Sequence, residues 1–271
     1  MERNTLEPVD VLTPRSLDDA LRLKSEHPDA VPIQGGTDVM VALNFDRMRP
    51  EIVLNLNEVA ELRSWSRVDG SLRLGAGLTY DEAMRGEPAA LLPALAEASR
   101  TVGSPQIRNR GTIGGNLGTA SPAGDALPPL LVEGAEVELA SVRGPRRVPL
   151  SEFLVGPKRN ALADDELIVA AHVSPSGEPQ TFMKVGPRNA MVIAVCSLAV
   201  VADRERGEVR ASFGSAGPVP GLVACPLEDA ADLPDRVAAA ASPIDDVRGT
   251  AAYRRHALRV LARRALERCL A

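Results

Sequence analysis

Apolar residues recur along the chain at two spacings, and each spacing predicts an element. Leu17, Ala20, Leu21 and Leu23 give a short helical face that ends at His27-Pro28, with Thr13-Pro14 as its start. Residues 88–99 predict a helix with Leu91, Leu92, Leu95, Ala96 and Ser99 on one side. A longer helix is expected over 250–270, where Leu258, Leu261, Ala262, Ala265 and Leu266 share a face, and a weaker one over 234–241. Thr79 and Glu82 have the spacing of a capping box, so a short helix begins there. Alternation at Ser71-Leu72-Arg73-Leu74 and at Ala135-Glu136-Val137-Glu138-Leu139-Ala140 predicts half-buried strands. Further apolar runs predict strands at 31–34, 51–56, 147–150, 166–173, 181–185, 190–202 and 208–213, with 126–133 a short buried helix or turn.

This order of elements divides the chain into three blocks. A small α/β unit covers 1–57, a second unit covers 58–175, and an α+β unit covers 176–271 after the turn signal Ser174-Pro175-Ser176-Gly177. A chain of 271 residues can build a sizeable core at that size. The net charge of −5 argues against a nucleic-acid footprint. No apolar run reaches the roughly 18 residues of a membrane helix, so no membrane span is expected. Met1-Glu2-Arg3-Asn4 lacks the core of a signal peptide. Cys196, Cys225 and Cys269 are far apart and odd in number, which argues against a disulfide framework and against a metal pair. It argues equally against an iron–sulfur cluster held by this chain alone. A cytoplasmic setting is expected.

Two glycine motifs stand out. Gly111-Thr112-Ile113-Gly114-Gly115-Asn116-Leu117-Gly118 places four glycines in eight residues between apolar runs. Its spacing is neither the dinucleotide fingerprint nor a Walker A loop. It reads either as a phosphate cradle built of backbone amides or as a tight loop between packed elements. The other motif, first in chain order, is Gly35-Gly36-Thr37-Asp38, which follows the strand Val31-Pro32-Ile33-Gln34 and precedes a predicted helix from Val39. A strand, a glycine turn and a helix start with Thr37 or Asp38 as cap would present free amides to an anion. Two such loops could grip a diphosphate from both sides.

Other chemistry is sparse. No G-x-S-x-G, no H-E-x-x-H and no paired histidines occur. His27 reads as a helix end, and His172, within an apolar strand, as a core histidine. Asp164-Asp165-Glu166 reads as a turn before a strand. Arg254, Arg255, Arg259, Arg263 and Arg264 read as a solvated or interface face of the last helix. The absence of an acid–base pair fits a protein whose chemistry belongs to a cofactor.

Gln34-Gly35-Gly36-Thr37-Asp38, together with Gln106-Ile107-Arg108-Asn109-Arg110-Gly111-Thr112-Ile113-Gly114-Gly115-Asn116, resembles the FAD-binding subunit of the molybdenum hydroxylases, which include xanthine dehydrogenases and aerobic carbon monoxide dehydrogenases. The likeness continues from Thr119 to Asp125, at Phe182-Met183-Lys184-Val185-Gly186-Pro187-Arg188, and at 245–254. The resemblance implies a vanillyl-alcohol-oxidase-type (PCMH-type) FAD-binding fold, with two α/β lobes at 1–57 and 58–175 and a C-terminal α+β domain at 176–271. It implies FAD on this chain, and [2Fe-2S] clusters and molybdopterin-bound molybdenum on two partners. Those partners are an iron–sulfur subunit and a large molybdopterin subunit, in a dimer of heterotrimers. Electrons would reach FAD from the clusters and leave to NAD+, O2 or a quinone.

Site residues follow from the same resemblance. Ile33, Gln34, Gly35, Gly36, Thr37, Asp38 and Val39 form the first diphosphate loop, and Thr112, Ile113, Gly114, Gly115 and Asn116 the second, with Thr119 beyond it. Asn116 either bonds the diphosphate or braces its loop. Asp125 resembles the carboxylate that contacts the flavin nucleotide, its other reading being a helix cap before Ala126. Ile168 resembles a backbone contact near the flavin. Lys184 resembles a lysine close to the flavin, its other reading being a solvated strand edge. Val102 stands where relatives carry an aromatic. Lys158-Arg159 either line the flavin entrance or form a surface turn. Two rival readings are a stand-alone flavin oxidase, for which the chain is short, and a flavin-free scaffold, against which the intact glycines speak.

Overall fold

The computed structural model describes residues 9–68 and 70–271. Met1-Glu2-Arg3-Asn4, the segment expected to carry no signal, lies outside the described residues. The first sheet is parallel and contains β1 (Asp10–Leu12), β2 (Val31–Ile33) and β3 (Ile52–Asn55) in the order β1-β3-β2. Parallel neighbours require crossovers. Here α1 (Leu17–Glu26) leads from β1 to β2, and α2 (Val39–Asn44) leads from β2 towards β3. The first helix starts at Ser16 rather than Thr13-Pro14, because the Ser16 hydroxyl accepts the Asp19 amide and Asp18 and Asp19 suit a helix N-terminus. Its Ala20 and Leu21 pack with Leu54, Leu56, Leu62 and Val169.

The second sheet is antiparallel, in the order β4-β5-β10-β6-β7. Its strands are β4 (Trp65–Val68), β5 (Ser71–Gly75), β6 (Glu136–Ser141), β7 (Gly144–Pro149) and, after a short hairpin of β8 (Leu154–Gly156) and β9 (Arg159–Asn160), β10 (Leu167–Val173). Between β5 and β6 run α3 (Tyr80–Ala83), α4 (Gly86–Leu91), α5 (Pro93–Thr101), α6 (Pro105–Arg108), α7 (Ile113–Thr119) and α8 (Leu127–Val132). Leu72, Leu74, Val137, Leu139, Ala171 and Val173 face these helices and bury Leu95, Ile113, Leu117, Leu127 and Leu130. Thr79 and Glu82 form the capping box that their spacing predicts. The helix expected over 88–99 is two helices, because Pro93 has no amide to continue the first. Another short helix, α9 (Leu150–Phe153), follows β7. On the other face of this sheet His172 Nε2 lies 2.5 Å from Glu138 Oε2, so the buried histidine is satisfied by a carboxylate.

The third sheet runs β11 (Gln180–Val185), β12 (Cys196–Asp203), β13 (Glu208–Gly214) and β14 (Gly221–Pro226), each antiparallel to the next. Its central strand β12 is buried along its whole length. One face is covered by α10 (Leu233–Ala240) and α11 (Ala251–Leu270), through Leu233, Val237, Leu258, Leu261 and Ala265. The other packs Phe182, Ala199 and Val201 on Ala94, Ala98 and Val132 of the second unit. The strand expected over 190–202 starts only at Cys196, and β14 was not anticipated. Polar contacts close the same seam. Glu97 Oε2 accepts the Phe182 amide at 2.7 Å and the Thr181 hydroxyl at 2.8 Å. Glu133 accepts Gln180 Nε2 at 2.6 Å and the Ser176 hydroxyl at 3.1 Å.

Candidate functional site

The first glycine motif turns between β2 and α2. Gly36 sits at φ 74°, the left-handed region that a side chain disfavours. Among the described residues, the amides of 35–39 donate to no protein acceptor, and the first helical bond runs from Met40 to the Gly36 carbonyl. Neither Thr37 nor Asp38 caps this helix through its side chain, contrary to expectation. A row of unused amides through a left-handed residue is a ready anion nest.

The second motif is not the open loop that its composition suggests. It is α7, capped by the Thr112 hydroxyl, which accepts the Gly115 amide at 3.0 Å. The Ile113 amide donates to Leu78 O at 2.9 Å and the Gly114 amide to Ala76 O at 2.8 Å. A Cβ at Gly114 would come within 2.5 Å of the Ala76 Cβ, so this glycine serves close approach of helix and chain. Ile113 and Gly114 are therefore packing residues, with amides already engaged. Gly115 and Gly118 instead lie exposed. A Cβ at Gly115 would approach only Thr112 Oγ1, at 3.1 Å, and one at Gly118 only Ile168 Cδ1, at 3.5 Å.

The two motifs meet. A Cβ at Gly35 would overlap the Arg110 carbonyl. Arg110 Nη2 donates to Gln34 O at 3.1 Å and Asn57 Oδ1 at 3.4 Å. The Thr119 hydroxyl donates to Asp38 Oδ2 at 3.4 Å. Gln34 Nε2 is buried without an acceptor, against Gly77.

Asp125 and Lys184 form a further wall. Lys184 Nζ donates to Asp125 Oδ2 at 2.6 Å and Thr101 O at 3.3 Å, and both side chains are nearly buried. Lys184 does lie on an edge strand, but its ammonium is not solvated. Asp125 does not cap α8, whose start has no side-chain cap. Burial pushes the Asp125 carboxyl up, and Lys184 opposes that rise. Asp125 Oδ1 and Asn116 Oδ1 are both buried acceptors without a donor. Val102 follows Thr101 and gives its carbonyl to Arg108 Nη1 at 3.0 Å. The β8–β9 hairpin closes on the end of α7, where the Lys158 amide donates to Ala120 O and Asn160 Nδ2 to Gly118 O.

The structure joins some of the expected residues to these elements, through Gly35–Arg110, Asp38–Thr119, Gly118–Ile168 and Asp125–Lys184, whereas Val102 packs against the core of the second unit and enters none of these contacts. Two participants were not expected. Arg110 clasps the first motif, although it stands directly before the second. Tyr80 is buried with its ring under Gly111, and burial together with Asp125 and Asp38 pushes its phenol far above the ordinary range. A single tyrosine after Thr79 carries no pattern that would reveal it. Two surface grooves, one lined by Arg259, Arg263 and Leu270 and one by Arg73, Arg147 and His172, include none of the glycine motifs.

Residues 7–175 match the family described as the FAD binding domain in molybdopterin dehydrogenase. The chain belongs to this family. As a member it is the FAD-binding component of an oxidoreductase, a flavoprotein of the molybdopterin dehydrogenases. A xanthine dehydrogenase FAD-binding subunit of Escherichia coli O157:H7 is 34% identical over 213 residues, 76% of this chain and 73% of that one. The nicotine 6-hydroxylase medium subunit of Paenarthrobacter nicotinovorans is 31% identical over 272 residues, 94% of each chain. Among solved structures, the Cu,Mo-CO dehydrogenase in its cyanide-inactivated form superposes with a TM-score of 0.89 at 27% identity, covering 96% of this chain and 97% of that one. The carbon monoxide dehydrogenase of Hydrogenophaga pseudoflava also gives 0.89, at 25% identity, over 97% of this chain and 98% of that one. The described residues contain no helix long and apolar enough to cross a membrane.

Proposed function

We propose that this chain is the FAD-carrying electron-transfer subunit of a multi-subunit molybdenum hydroxylase. The observation that carries the reading is the contact between the two glycine motifs, which lays the unused amides of 35–39 beside the open side of α7. The amides of 35–39 would hold the diphosphate oxygens, with Gly36 shaping the nest. Gly115 and Gly118 would leave room for the cofactor to lie on α7. Asn116 Oδ1 and Asp125 Oδ1, acceptors without donors, suit hydroxyl or amide hydrogens of a flavin nucleotide. Lys184 places a buried cation beside Asp125, where it would offset negative charge on a reduced flavin. Ile168, Val102 and Thr119 would close the cleft by shape. Bound FAD supplies the redox chemistry, and these residues supply binding, orientation and electrostatics.

The finer reading is that 1–57 and 58–175 are the two lobes of a PCMH-type fold and 176–271 is the C-terminal domain. The partners would be an iron–sulfur subunit with [2Fe-2S] clusters and a large molybdopterin subunit, paired as a dimer of heterotrimers in the cytoplasm. The chain would stand between those clusters and the final acceptor, NAD+, O2 or a quinone. The relatives support the subunit reading, since they carry the names of medium and FAD-binding subunits. Purified protein should show a flavin absorbance band or gain one on adding FAD. A chain that neither carries flavin nor takes it up overturns the reading. A chain that oxidises an organic substrate alone overturns the subunit assignment.

A further inference from the structure

The stretch Asp245–Arg254 lies beyond the matched residues 7–175 and supplies none of the proposed cofactor contacts. Its geometry nevertheless leads to the cleft. Asp246 and Gly249 close a tight turn, each amide donating to the other's carbonyl at 3.2 Å. Asp246 Oδ2 accepts Arg248 Nη2 at 2.8 Å, and its Oδ1 accepts Arg254 Nη2 at 2.5 Å. Arg254 was expected on the solvated face of the last helix, yet it is 2% exposed. Its other nitrogen, Nη1, donates to the Ser215 carbonyl at 2.6 Å.

Ser215 is held at both ends. Its amide donates to the Pro122 carbonyl at 2.7 Å. It sits at φ 58°, a left-handed conformation that a non-glycine residue keeps only when its surroundings enforce it. Pro122 belongs to the Ser121–Asp125 turn, closed by the Gly124 amide on Ser121 O. Register gives a second route, since Gly214 pairs with Ser197 and Ser197 with Lys184. Arg254 Nε and Ser215 Oγ are both buried without partners. The guanidinium is thus set for its two Nη contacts at the expense of its own third bond. A lysine would offer both acceptors one shared atom in place of the two separate Nη atoms of the guanidinium fork.

We propose that Arg254, anchored by Asp246, is a positioning residue for the cleft: it fixes Ser215 so that the Ser121–Asp125 turn presents Asp125 to Lys184. This rests on the reading that Asp125 and Lys184 face the flavin nucleotide. The test uses the full chain with Arg254→Lys, which keeps the charge, and Arg263→Ala, which removes an exposed arginine of the same helix. In flavin-free protein, the carbon-13 titration of the Asp125 carboxyl should move in Arg254→Lys and stay put in Arg263→Ala. An unmoved titration in folded Arg254→Lys overturns the proposal. With FAD added, Arg254→Lys should bind about tenfold more weakly and change the visible circular dichroism of the bound flavin. Affinity and spectrum equal to wild type also overturn it. Should the variant not fold, wild type decides: FAD should slow amide exchange around Ser215 and across 246–254, and unchanged exchange there overturns the proposal. Wild type that takes up no FAD while the carboxyl titration still moves refutes the flavin reading and leaves the positioning contact standing.

Discussion

Gly35 and Arg110 touch backbone to backbone, so closely that a Cβ on the glycine would overlap the arginine's carbonyl. Two motifs more than 70 residues apart are thereby one structure. Gly35→Ala must push them apart, because the obstacle is backbone and cannot rotate away. We expect a loss of about 1–3 kcal/mol, as for other overpacked sites, with loss of FAD uptake. Urea unfolding and a flavin titration measure the two.

Gly114 and Gly115 are neighbours with opposite duties. Gly114→Ala meets the Cβ, Cα and carbonyl of Ala76 at 2.5–2.8 Å and should destabilise the fold. Gly115→Val meets only the Thr112 hydroxyl and extends into the open side of α7. It should keep a melting temperature near wild type while the protein purifies without flavin. A Gly115→Val chain with wild-type flavin content would remove the cradle from the account.

Lys184→Met leaves the Asp125 carboxylate buried without its cation. Breaking a buried pair from one side costs about 3–5 kcal/mol. The sign with pH follows from Asp125, whose carboxyl is pushed up by burial against the opposing pull of Lys184. The folded state then keeps a proton that the unfolded chain releases near pH 4. Stability from that proton is present at low pH and is lost as pH climbs through the folded value. The penalty of Lys184→Met should therefore be small at pH 4 and grow towards pH 8, and the double variant with Asp125→Asn should recover much of it. Denaturant unfolding across that range checks both.

Glu166 gives the opposite slope. Arg146 meets both of its oxygens, at 2.6 and 2.7 Å, and holds the carboxyl below its ordinary value of 4.5. A depressed acid stabilises above its unfolded value and stops doing so as pH falls through the folded one. Arg146→Met should cost about 1–2 kcal/mol at pH 7, less than for a fully buried pair because the guanidinium is partly exposed. The difference from wild type should close as pH is lowered below 4.5. A gap that stays constant with pH would assign the loss to packing alone.

The sequence showed what local period and spacing control. Alternation located β5 and β6, an apolar run located β10, the Thr79–Glu82 spacing located the capping box, and apolar spacing located α11. The glycine motifs were visible as letters, but the shape of the second was not. Glycine propensity argues for a turn at 111–118, and α7 forms because the carbonyls of Ala76 and Leu78 engage its first amides and Thr112 caps it. Those acceptors lie more than 30 residues away and leave no local trace. The same holds for Arg254, which spacing puts in a row of solvated arginines. Its acceptors, Ser215 and Asp246, are contributed by other segments. The Asp125–Lys184 pair spans 59 residues and is equally invisible to any periodicity.

Because the first turn of α7 spends its hydrogens on Ala76, Leu78 and Thr112, the backbone of that wall lends a guest no amide, and its buried unpartnered atoms, Asn116 Oδ1 and Asp125 Oδ1, are acceptors. The wall across from it, at 35–39, holds five amides that donate to no described protein acceptor. A guest that is anionic at one point and hydroxylated at another can satisfy both walls in a single direction of travel. Turned end for end, it would press oxygen against oxygen at Asn116 and Asp125 and leave five amides dry.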